Sequence, residues 1–162
     1  VADLKATRIV DLALVALVFL AVGWAVAWAV YGRLPSVPTL VGLPLVVLAV
    51  AEALAGLFIR RRVAEGEVGA GLHDLSPLTI ARAVVLAKAS AIVGAVFAGG
   101  WAGFLIYLVP QQDRLAAARS DLSGTIFGLA AGLLLVAAAL WLEHTCTVPP
   151  ESRADGGDRH DE

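Results

Sequence analysis

Glu52 and Lys88 are the residues whose chemistry stands out first, because each lies inside a long run of apolar side chains. An ionisable group in the hydrocarbon of a bilayer is costly unless paired, and it often marks a path for an ion, proton or solute. Their depths match. Glu52 precedes Arg60 by eight residues, about 12 Å along a helix, and Lys88 follows Arg82 by six, about 9 Å. On antiparallel helices both groups fall at similar distance from one face, so a direct or water-bridged pair is expected. Asp11, Arg82, Ser90 and Glu143 gather toward the same face, and each apolar stretch thereby brings an ionisable group to one half of the membrane. Two readings stay open. The pair locks two helices together, with Lys88 also long enough to snorkel, or the region forms a polar vestibule for a solute, proton or partner.

No other chemistry comes forward. His144, Cys146 and His160 with the terminal acids fall short of a metal site, which needs more ligands in defined geometry. His73 reads as a solvated loop residue, and the single cysteine excludes an internal disulfide. A nucleotide loop, an HExxH helix and a nucleophile with a paired base are all missing. The expectation is a non-enzyme with no catalytic, cofactor or metal residues. A net charge of −2 does not favour nucleic acid, and Arg60-Arg61-Arg62 reads as a topology and lipid-headgroup anchor.

The elements that must position these residues are apolar helices. The 162 residues are 59% hydrophobic, above the roughly 45–50% of soluble domains. The mean hydropathy is +0.83. Four stretches, 12–31, 40–59, 83–109 and 122–142, are each long enough for about 30 Å of hydrocarbon. Without water to satisfy the backbone, each must be helical. The first could pass for a signal peptide cut after Ala25-Val26-Ala27, but its apolar run continues to Tyr31, where Trp24, Trp28 and Tyr31 suit an interfacial belt. The absence of Met and Asn, with ten Arg to two Lys, points to a GC-rich genome. On that reading Val1 is a literal GTG start, and the chain is expected to be complete.

Basic residues set the orientation. Lys5, Arg8, Arg60, Arg61, Arg62, Arg82, Arg153 and Arg159 fall on one side, and Arg33, Arg114 and Arg119 on the other. Eight against three places the first group, and both termini, in the cytoplasm. Pro35 and Pro38 mark a short outer turn. Ser76-Pro77 reads as an N-cap and first helical residue, so the third helix should exceed 30 residues and tilt or protrude. Residues 1–150 form the expected transmembrane domain, with 151–162 a disordered acidic cytoplasmic tail.

Small residues recur every four positions: Gly124, Gly128 and Gly132 on the fourth stretch, and Ala95, Gly99 and Gly103, with Ser90 and Gly94, on the third. Such spacing lets backbones approach closely. It serves packing within one antiparallel four-helix bundle, or packing against another copy or protein.

The block Ala81-Arg82…Leu86-Ala87-Lys88-Ala89-Ser90 is followed by Gly94, Gly99-Gly100-Trp101 and Gly103. With the end Glu143…Cys146…Pro149 and Thr7-Arg8 before the first span, the chain resembles an actinobacterial family of membrane proteins, domain of unknown function 3180. The resemblance spans nearly all of 7–150 and implies an all-α polytopic fold without an established activity. His144 stands where that family more often has Arg. The expected function is a non-enzymatic scaffold or accessory subunit of a plasma-membrane or envelope complex. It would lie in the lipid bilayer, with a second copy or a larger membrane protein as partner. The alternative is an oligomeric small-solute or proton-coupled transporter acting near Glu52 and Lys88.

Overall fold

The computed structural model describes residues 8–33, 36, 38, 40–64 and 77–146, with backbone alone for 62–64, 77–80 and 146. Among the described residues four α-helices carry the fold: α1 Ile9–Val30, α2 Leu43–Ala64, α3 Pro77–Leu108 and α4 Ala116–Cys146. No strand occurs among the described residues. Asp11 sits in the first turn of α1, where a negative charge complements the helix dipole. α3 opens on Pro77, whose missing N–H costs nothing at the first helical position. It closes into a short 3-10 turn, Val109–Gln111, that contains Pro110. α3 and α4 have 32 and 31 residues, about 48 and 46 Å, so they must tilt or protrude from the hydrocarbon. The tail 151–162, the loop after Ala64 and the Ser76 cap lie outside the described residues.

The helices do not pack in chain order. α3 packs against α1 and α4, while α2 packs against α4, giving the spatial order α1, α3, α4, α2. Residue pairings give the directions. Leu12 clusters with Ala91 and Ala95, and Ala27 with Phe104 and Leu108, so α1 and α3 run parallel. Leu45 and Ala49 meet Ala131, Leu135 and Ala138, and Ile59 meets Leu142, so α2 and α4 are also parallel. Val84 and Ala87 meet Leu142, whereas Phe104 and Leu108 meet Ala118, so the central pair is antiparallel. The bundle is therefore two parallel pairs joined through an antiparallel centre.

Glycine sets the spacing at all three of these seams; between α2 and α4, a Cβ on Gly42 would lie 2.7 Å from Ala131 Cβ, and one on Gly56 2.7 Å from the Trp141 ring. A Cβ on Gly99 would run into the Ala16 carbonyl, and one on Gly103 into the Leu20 carbonyl, so α1 and α3 touch backbone to backbone. Between α3 and α4, a Cβ on Gly132 would lie 2.8 Å from Ala98 N, and one on Gly94 2.8 Å from Val136 Cγ2. Gly128 lies under the Trp101 indole, and Gly124 is buried. The small-residue repeat on α3 thus serves two faces, Gly99 and Gly103 toward α1 and Gly94 toward α4.

Large apolar side chains cover the outside. Leu14, Val18, Leu54, Phe58 and Leu133 are exposed, and Trp28 is 71% exposed. A water-soluble monomer does not tolerate so continuous an apolar surface, but lipid does. All four helices are long and apolar enough to cross a bilayer. The chain is an all-α, multi-pass membrane protein.

Candidate functional site

Four polar side chains converge toward the end of the bundle where Arg60 and Arg82 are exposed. Glu52, on α2, is 2% exposed, and neither carboxyl oxygen has a hydrogen-bond partner among the described residues. Ser90, on α3, is 4% exposed and faces that carboxyl, although its hydroxyl stops short of hydrogen-bond geometry. Lys88 Nζ lies 4.0 Å from Glu143 Oε1 on α4, with side chains 26% and 7% exposed.

Glu52 and Lys88, expected as a direct or water-bridged pair, are joined by no hydrogen bond among the described residues, and Lys88 contacts Glu143. The reason is angular. Lys88 and Ser90 are two residues apart, which at 3.6 residues per turn is about 200° around the helix. The face of α3 that turns Ser90 toward Glu52 therefore turns Lys88 elsewhere, and its stem reaches α4. Equal depth fixed the level of the two charges without fixing their direction.

The other expected face residues divide. Asp11 is exposed at the start of α1. Arg82 is exposed beside an apolar groove lined by Ala81, Val85, Leu86 and Ala89. His144 is exposed, while His73, His160 and the side chain of Cys146 lie outside the described set. No group of three or more metal-ligating side chains occurs among the described residues.

A second polar contact sits at the opposite end. Tyr31 Oη donates to Asp121 Oδ2 at 2.9 Å, and Asp121 is 4% exposed. Thr125 Oγ1 donates to the Asp121 carbonyl at 2.9 Å. The Tyr31 ring meets Phe104 at 5.8 Å and Tyr107 at 5.6 Å between centroids. Tyr31 is consequently part of the interior and not of an interfacial belt, because its hydroxyl reaches a buried acceptor while its ring packs among aromatics. Trp24 and Trp28 do remain exposed. Asp121 escapes a hydropathy reading because it falls at the edge of the fourth apolar run. An acid one turn before Thr125 on a helix entering the membrane was the available signal.

Nearby, Arg119 Nη2 and Asp113 Oδ1 are 3.8 Å apart and largely exposed, which contributes little to stability. The arrangement at the Arg60 end can hold an ion pair across α3 and α4 and bury one acid between α2 and α3. No curated protein and no solved structure matches the chain. The family model described as "Protein of unknown function (DUF3180)" matches residues 12–150, and the chain belongs to that family.

Proposed function

We propose that the chain is a non-enzymatic scaffold or accessory subunit that docks, within the plasma membrane, against a transmembrane helix of a larger membrane or envelope complex. One observation carries this reading. Only 6% of the α1 span is buried inside the bundle, against 39% for α3 and α4. The same helix is held to α3 at Gly23, Gly99 and Gly103 by backbone contact, which leaves it little freedom to shift. A rigid helix with most of its surface open can receive a partner helix without reorganising, and avoiding that cost favours association.

The test places a photocrosslinking residue at Leu17 or Val18 on the open side of α1, with buried Leu135 as control, in the full chain in its native membrane. The expected outcome is a discrete protein adduct from the α1 positions and none from Leu135. Adducts with lipid alone at both α1 positions would rule the reading out.

A further inference from the structure

The seam between α2 and α3 differs from the other seams of the bundle. α2 leans on α4, and its backbone scarcely approaches α3. Side chains bridge the gap: Ile59 shares a cluster with Val84, Ala87 and Leu142, and Glu52 faces Ser90. Among the described residues, the buried side-chain oxygens without a hydrogen-bond partner are those of Glu52. Buried polar groups are normally hydrogen-bonded, so such an exception calls for an explanation.

The surroundings restrict what can bind there. From α3, Ser90 faces the carboxyl, and Lys88 lies two residues nearer the Arg60 end, directed to Glu143. On α4, Leu135 and Ala138 cluster with Leu45 and Ala49 before Glu52, Leu142 clusters with Ile59 after it, and the buried Glu143 is directed to Lys88. On α2 itself the nearest cation in sequence is the exposed Arg60, and Asp11 is exposed on α1, which packs on α3. A metal cation needs several oxygen ligands around it, whereas a proton needs only one oxygen and no added volume.

We propose that Glu52 is a proton-binding site in the α2/α3 seam, carrying its proton while the seam is closed and releasing it to water when α2 moves away from α3. On opening, the carboxyl O–H bond breaks, its electron pair stays on Glu52, and the proton passes to an entering water. Closure reverses the step. The coupling is physical: a carboxylate only 2% exposed and without a hydrogen-bond partner is strongly unfavourable, so loss of the proton favours hydration of the seam. α2 is held to α4 at Gly42 and Gly56 but scarcely to α3, so it can pivot on α4 and open the α3 side while the glycine contact between α1 and α3 stays intact. The site is independent of the accessory-subunit reading and requires no net solute flux.

The experiment uses the full chain in lipid nanodiscs. Infrared difference spectra recorded as pH is stepped should contain a protonated-carboxyl band that is lost in Glu52→Gln and kept in Glu143→Gln. Hydrogen exchange of the α2 amides should rise over the same pH interval in the parent chain. In Glu52→Gln, an uncharged mimic of the protonated acid, exchange should stay low throughout. A band unaffected by Glu52→Gln, or no titrating band at all, would overturn the proposal. So would failure of Glu52→Gln to fold where Glu52→Asp folds, or a response to sodium at constant pH, which would mark a metal-cation site.

Discussion

Lys88 Nζ and Glu143 Oε1 stand 4.0 Å apart, joining α3 to α4 across the antiparallel centre of the bundle. The separation exceeds that of a hydrogen bond, so charge attraction carries the contact. Lys88→Gln would leave Glu143 nearly buried without this cation. The expected loss is about 1–2 kcal/mol, less than the ~3–5 kcal/mol of a fully buried pair, because the Lys88 side chain keeps 26% exposure. A double-mutant cycle on thermal stability in detergent should give Lys88 and Glu143 a coupling above about 0.5 kcal/mol. Lys88 with Glu52 should stay within the additivity error of about 0.3–0.5 kcal/mol. Stronger coupling to Glu52 than to Glu143 would reverse the assignment.

Adjacent glycines on α3 should respond oppositely. Gly99→Ala places a methyl against the Ala16 carbonyl, and backbone cannot rotate aside as a side chain can. A loss of roughly 1–3 kcal/mol is expected from such overpacking. Gly100 has nothing within 4 Å of an added Cβ, so Gly100→Ala should be neutral or gain up to about 1 kcal/mol from helix propensity. Equal melting temperatures for the two variants would contradict the backbone contact.

Tyr31→Phe keeps the ring among Phe104 and Tyr107 but removes the donor to Asp121. Leaving a buried acceptor short of one bond should cost about 1–3 kcal/mol. Adding Asp121→Leu removes the acceptor as well, and the double variant should be less destabilised than the sum of the singles. Additive losses would show that the hydroxyl and the carboxylate act separately.

The orientation is tested by reporter fusions. The eight-to-three asymmetry of basic residues predicts that Ser36 and Arg114 report outside and Gly69 inside. A periplasmic signal at Gly69 would invert the assignment of both termini.

Hydrophobicity alone was enough to read four membrane helices, because the bilayer forces long apolar runs into helices, and the Ser76-Pro77 pair marked the helical start at Pro77. The start of α4 was less legible. Residues 116–121 are helical although Arg119, Ser120 and Asp121 give no apolar signal. Helix order was not legible at all. Apolar side chains occur around the whole circumference of these helices, so no stripe tells which face seeks which neighbour. That is also why the partner of Lys88 could not be read, since it depends on rotation about the helix axis. The glycine spacing did signal close approach, but only the packing of the helices separates the Gly99 face toward α1 from the Gly94 face toward α4.

The interleaved order α1, α3, α4, α2 has a consequence for synthesis. The two helices that leave the ribosome first are the two outermost in the finished molecule. α1 meets its parallel neighbour only after α3 has been made, and α2 waits longer, for α4. A nascent chain halted after α2 has inserted both segments but holds neither of its principal helix–helix seams. Two-stage assembly in lipid thus takes a specific form here, with insertion proceeding in order and association withheld until the C-terminal half arrives. Loss of both α3 and α4 should therefore remove the packing of the N-terminal half as well, with no folded remnant for quality-control proteases to spare.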